Sequence, residues 1–162
     1  VPCLKQMIDA FAETRGSVVA VEEVPNDWTD RYGVLDPVRD DGRLVEIKGL
    51  VEKPHPIEAP SRLAVIGRYI LLPEVFEHLS QQRKGAGGEI QLTDAMAKMI
   101  GHAPFHGLRF TGRRFDCGTK LGYLEAMVAC ALELAARGRV HDRIVHGRAL
   151  LPDAPRRRAP VR

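Results

Sequence analysis

The chain has 162 residues, of which 44% are hydrophobic and 28% charged, with a formal net charge of +3. That composition is ordinary for a soluble globular protein with one real core. No apolar run approaches the roughly 20 residues that span a bilayer, no signal-peptide pattern opens the chain, and Cys3, Cys117 and Cys130 are odd in number without CxxC spacing, which argues against a disulfide framework or a zinc site and for reduced thiols in a cytoplasmic protein.

Leu4, Met7, Ile8 and Phe11 recur at i, i+3, i+4 and i+7, so residues 3–14 are predicted to form an amphipathic helix stopped by Gly16. Ser17 to Val24 is Val-rich, as suits a strand buried on both faces. A helix feeding a buried strand is half of a βαβ unit and predicts a largely parallel sheet. The strand that should precede the helix is not in the sequence, so Ser17–Val24 is expected to leave an open sheet edge prone to association.

Pro25 to Asp30 is predicted as loop. Tyr32–Leu35 and Leu44–Val51 follow as strands joined through the turn signal Asp40-Asp41-Gly42. Three prolines make 54–60 a rigid connector. Leu63–Leu72 is a further strand, and Pro73 opens a short helix to about Leu79. Gln82–Gly88 is a polar, Gly-rich loop, and Ile90–Ile100 is helical. Phe105–Phe110 and Arg113–Phe115 are expected as short strands. Thr119 is placed to cap a helix whose inner stripe is Leu121, Leu124, Val128 and Leu132, ending near Gly138.

Charge is unevenly spread. From Arg137 onward there are eight Arg against two Asp, so the remainder is net acidic. Residues 139–162 are expected to be a basic, weakly ordered tail beyond a domain spanning 1–138. No aromatics are interleaved for base stacking, and no nucleic-acid partner is expected. His102 and His106 are four apart, but Pro104 between them forbids a helical metal-binding face.

Two segments carry chemistry, and a third is assigned none directly. In Phe115-Asp116-Cys117-Gly118, a carboxylate at a strand end precedes a helix whose free N–H groups suit a phosphate. Magnesium favours one or two carboxylates plus phosphate oxygens, while an Asp here also serves as a turn or cap residue. In Val51-Glu52-Lys53-Pro54, neighbouring strand side chains point to opposite faces. Both reach one ligand only if the strand ends or bends, which Pro54 makes reasonable; the plainer role is a surface ion pair. Gly33, in Tyr32-Gly33-Val34, permits close approach of a ligand or marks a bulge. Gly67 in Ala64-Val-Ile-Gly-Arg-Tyr69 serves packing or ligand contact. The third segment, Gly85-Ala-Gly-Gly-Glu-Ile-Gln-Leu-Thr-Asp94, is a loop anchored by Glu89 and Asp94.

Together these segments resemble the sugar nucleotidyltransferases, most closely the bacterial uridylyl branch acting on UTP and glucose 1-phosphate. The resemblance runs from about Pro2 to about Leu134. It implies an α/β, Rossmann-like nucleotidyltransferase fold with a mixed sheet, present in part. It implies that Gly33 and Glu52 hold the sugar, Lys53 its phosphate, and Asp116 a Mg²⁺ ion, with Lys53 and Asp116 the catalytic pair. It implies a homo-oligomer. The family's Gly-rich triphosphate loop and second metal-binding Asp fall, in register, before Val1. The expectation is therefore a sugar-side portion that does not turn over by itself. A sibling using dTTP, and a non-catalytic sugar-phosphate-binding or subunit-contact protein, are the other readings.

Overall fold

The computed structural model describes residues 1–81 and 90–136. The Gln82–Gly88 loop, Glu89 and the basic tail lie outside the described residues. The chain divides into two compact units, 1–112 and 113 onward.

The first unit runs α1 (Cys3–Thr14), β1 (Ser17–Glu23), a 3₁₀ turn (Asn26–Arg31), β2 (Gly33–Asp40), β3 (Leu44–Glu52), β4 (Leu63–Ile70), α2 (Val75–Gln81), α3 (Leu92–Met99) and β5 (Phe105–Arg109). The strands follow the order β1-β4-β2-β3-β5 and close back on β1. β1 is buried throughout Ser17–Val21. Its alternation divides the core: Val19 and Val21 join Leu35, Val45, Leu50, Met96 and Met99, while Val18 and Ala20 join Met7, Ala10, Leu44 and Leu108. Period-2 geometry explains the split, since successive side chains leave opposite faces of the strand. Helix α1 covers one face with Met7 and Ala10, and α2 and α3 contribute Val75, Ala95, Met96 and Met99 to the other.

Two expectations about the sheet need correction. The sheet is mixed, but only β1–β5 is parallel; the β1–β4, β2–β3, β2–β4 and β3–β5 pairings are antiparallel. A parallel pair needs a long crossover, whereas β2 and β3 are joined by a tight turn that enforces antiparallel pairing. Asp41 Oδ1 accepts the Arg43 and Leu44 N–H groups at 2.8 and 2.6 Å and sets that turn. Nor is β1 an open edge. It pairs with β4 on one side and β5 on the other, so strands later in the chain satisfy its backbone.

Gly16 acts differently from the helix stop predicted for it. Arg15 takes the left-handed cap conformation, φ 54°, and donates its N–H to Phe11 O at 2.8 Å. A Cβ on Gly16 would lie 2.2 Å from Pro104 O, so Gly16 permits two backbones to approach closely. Gly67, at φ 75°, sits in the β4 bulge, where pairing to β1 shifts between Val19 and Val21. Nothing lies within 4 Å of its absent Cβ. Its requirement is conformational.

In the second unit, α4 (Lys120–Ala136) begins where Thr119 Oγ1 accepts the Gly122 N–H at 3.1 Å, an N-cap as predicted. Arg113–Phe115 is not a strand. The expected inner stripe is also absent: Leu121, Leu124, Val128 and Leu132 are all exposed, and α4 buries no residue. Helical periodicity marks which side chains share a face, but not whether that face is covered.

Candidate functional site

The predicted Gly33, Glu52 and Lys53 come together at one end of the β2–β3 ladder. Gly33 is the register partner of Glu52. The bend that lets Glu52 and Lys53 serve one ligand is present. Lys53 adopts φ 46° at the end of β3, directly before Pro54. Its N–H still donates to Tyr32 O at 3.0 Å, which fixes the bend against the start of β2. The Lys53 ammonium then stands 3.9 Å from Glu52 Oε1, with side-chain exposures of 60% and 27%. A cation thus projects outward beside a more sheltered carboxylate.

Gly33 leaves the space that this carboxylate uses. A Cβ there would lie 3.1 Å from Glu52 Oε2 and 3.4 Å from Thr93 Cγ2. Thr93, in α3, donates its hydroxyl to Glu52 Oε2 at 2.7 Å. Tyr69 follows the β4 bulge, a device that re-aims side chains. Burial pushes its phenol pKa up, and the Glu52 charge adds to that shift. Sequence reading singled out neither Thr93 nor Tyr69. Both lay inside quoted motifs, Gln-Leu-Thr-Asp and Gly-Arg-Tyr, which were the available signals.

The arrangement is a carboxylate and an ammonium side by side at one end of the β2–β3 ladder. A carboxylate with two oxygens has about four acceptor positions. Thr93 takes one, and those left can accept ligand hydroxyls. The neighbouring ammonium is a compact point charge suited to a phosphate. No group of three or more His, Cys, Asp and Glu able to hold a metal occurs among the described residues.

Asp116 belongs to the second unit. It lies in a loop, not at the end of a strand, and its Oδ1 accepts the Gly118 N–H at 2.9 Å. That is an Asx-type turn. Gly122, in α4, leaves room for the Asp116 carbonyl, since a Cβ there would fall 1.9 Å from Asp116 O. The carboxylate is exposed and keeps Oδ2 outside the turn bond. A single carboxylate of this kind fits a Mg²⁺ ion that takes its other ligands from phosphate and water.

A nucleotidyl transferase family model matches residues 2–132. The chain belongs to that family. It is similar to a UTP–glucose-1-phosphate uridylyltransferase of Komagataeibacter xylinus, 59% identical over 119 residues, covering 74% of this chain and 42% of the relative. A namesake from Staphylococcus haemolyticus is 47% identical over 132 residues, covering 82% and 46%. Among solved structures, a UDP-glucose pyrophosphorylase complexed with UDP-glucose superposes with a TM-score of 0.75 at 42% identity, covering 80% of this chain and 49% of that one. A UTP-bound UGPase from Acinetobacter baumannii gives 0.69 at 36%, covering 80% and 45%. These matches bear out the mixed α/β nucleotidyltransferase fold. The chain spans about half the length of the relatives it matches.

A recess in the first unit, of about 290 Å³, includes Glu13, Arg39, Asp41, Glu46 and His106 in its lining. Register aligns Arg39 with Glu46, and Glu46 with His106, across β2, β3 and β5. The buried His106 Nδ1 has no hydrogen-bond partner. None of the predicted site residues lines this recess.

Proposed function

We propose that this chain carries the sugar-phosphate side of a uridylyltransferase that makes UDP-glucose and pyrophosphate from UTP and glucose 1-phosphate. The observation that carries the reading is the bend at Lys53, which sets an ammonium 3.9 Å from the Glu52 carboxylate. A left-handed non-Gly residue costs on the order of 1–3 kcal/mol, and an exposed ion pair contributes about 0–1 kcal/mol. The pair alone does not offset the conformation, whereas a ligand that uses both groups gives it a role. Relatives named for this reaction support the choice of substrates.

In this reading Glu52 accepts hydrogen bonds from glucose hydroxyls, and the backbone at Gly33 lies against the ring. Lys53 holds the sugar phosphate. An oxygen of that phosphate attacks the α-phosphorus of UTP, the bond from that phosphorus to the bridging oxygen breaks, and pyrophosphate leaves with the electron pair. Catalysis is positioning and charge neutralisation, with no covalent enzyme intermediate. Asp116 would hold a Mg²⁺ ion, which when bound neutralises phosphate charge. Because the relatives are about twice as long, the reading assigns to these residues the sugar-phosphate side alone. It places the enzyme in the cytoplasm as a homo-oligomer, with the exposed apolar face of α4 as one contact.

The test is UTP-dependent pyrophosphate release by the full-length gene product with glucose 1-phosphate, with dTTP as competitor substrate. Turnover with UTP supports the reading. Preference for dTTP makes the protein a thymidylyl sibling. Glucose 1-phosphate binding with no turnover by the full-length gene product makes it a non-catalytic sugar-phosphate-binding protein.

A further inference from the structure

We infer that Thr93 is a positioning residue, which acts through Glu52 to set the carboxylate that receives the sugar. The inference rests on the sugar-phosphate reading of Glu52 and goes beyond it by adding a residue 41 positions away in the chain.

Three features of the geometry carry it. The Thr93 hydroxyl donates to Glu52 Oε2 at 2.7 Å, in the short range expected for a hydroxyl on a carboxylate. The hydroxyl is held in that direction. A β-branched Thr has only two common χ1 rotamers in a helix, and the one present sets its methyl 3.4 Å from the position a Gly33 Cβ would occupy while the hydroxyl bonds Glu52. Gly33 therefore accommodates the Thr93 methyl and the Glu52 oxygen together. Finally, Thr93 lies in the first turn of α3, whose partial positive end favours a nearby carboxylate. One Glu52 oxygen is thus fixed by Thr93, while Oε1 faces Lys53 at 3.9 Å. A side chain with three rotatable bonds is held in one pose before ligand arrives, which reduces the ordering cost of binding.

The experiment measures the affinity of the full-length protein for glucose 1-phosphate by titration calorimetry, with inorganic phosphate as comparator. The variants are Thr93→Val, Thr93→Ala, Thr93→Ser and Glu52→Gln. Thr93→Val removes the hydroxyl at nearly constant shape. It should weaken glucose 1-phosphate binding by about tenfold, the size of one charge-assisted hydrogen bond, and leave inorganic phosphate unaffected. Thr93→Ser should restore binding. Adding Thr93→Val to Glu52→Gln should give little further loss, because the hydroxyl acts through the carboxylate. Should Thr93→Val fail to fold, Thr93→Ala against Thr93→Ser makes the same comparison. If Glu52→Gln weakens sugar-phosphate binding and Thr93→Val does not, the Thr93 inference is overturned and the sugar reading stands. A Thr93→Val loss that Ser does not restore, or that persists in full on Glu52→Gln, also overturns it. A Glu52→Gln protein with unaltered affinity overturns the sugar reading and this inference with it.

Discussion

The charged groups of Glu52, the last residue of β3, and Lys53, the residue after it, stand 3.9 Å apart because Lys53 turns into the left-handed region at φ 46°. A regular strand would send them to opposite faces. In the full-length enzyme, Lys53→Ala should lower kcat/KM by about 10²-fold, or roughly 2.7 kcal/mol, if Lys53 holds the sugar phosphate. The Tm should barely move, since the Lys53 side chain is 60% exposed. Lys53→Gly should lose as much activity but be more stable than Lys53→Ala by about 1 kcal/mol, because Gly adopts this conformation without strain. Steady-state kinetics beside thermal melts separate the two effects. Full activity in Lys53→Ala would leave only a surface ion pair.

Asp116→Asn is a clean test of the metal role. Asn keeps a side-chain oxygen to accept the Gly118 N–H, so the turn should survive with stability within about 0.5 kcal/mol. The loss is then confined to charge. The Mg²⁺ concentration needed for half-maximal activity should rise and turnover should fall. Superimposable metal curves would leave Asp116 with the turn alone.

Gly33→Ala and Gly16→Ala should part company. At Gly33 the new methyl meets the end of the Glu52 side chain at 3.1 Å and a Thr93 methyl at 3.4 Å, and both can yield by a few tenths of an ångström. Binding of glucose 1-phosphate should weaken by about tenfold, with less than about 1.5 kcal/mol lost in stability. At Gly16 the methyl meets the Pro104 backbone oxygen at 2.2 Å, which no rotamer relieves. Urea melts should show a loss on the order of 3 kcal/mol there.

Acid sensitivity should have an identifiable source at the hairpin. Arg109 binds Asp40 through two hydrogen bonds of 2.6 and 2.7 Å, tying the end of β2 to β5 across β3. The Arg109 guanidinium, helped by the Gly42 N–H, holds the Asp40 carboxyl below its usual pKa. A depressed carboxylate contributes stability above the unfolded pKa of about 3.9 and loses it as pH falls through the lower folded value. The pair is substantially exposed, so the contribution is under about 1 kcal/mol. Asp40→Asn should be slightly less stable at neutral pH, and the difference from wild type should shrink toward about pH 3, as followed by denaturant melts.

Much of the chain could be read locally. The α1 helix, the Asp40-Asp41-Gly42 turn, the Thr119 cap and the bend before Pro54 each depend on residues within a few positions, and each is present, although the buried face of α1 is Met7 and Ala10, with Leu4 and Ile8 of the expected stripe exposed. What could not be read depends on partners far along the chain. The flanking of β1 by β4 and β5 brings Val18 beside Ile70 and His106. Such pairing leaves no mark on an apolar run, which reads alike at an edge or in the middle of a sheet. Thr93 drew no notice in the sequence because its bond to Glu52 crosses 41 positions. Gly16 stood where a helix stop belongs, and its approach to Pro104 is tertiary.

The binding place of glucose 1-phosphate decides the role of Glu52 and Lys53. A crystal structure of the protein with that ligand should show a glucose hydroxyl within hydrogen-bond reach of Glu52, the ring against Gly33, and the phosphate on the Lys53 ammonium. Sugar phosphate bound elsewhere, with Glu52 and Lys53 facing only each other and water, would contradict the sugar-phosphate reading.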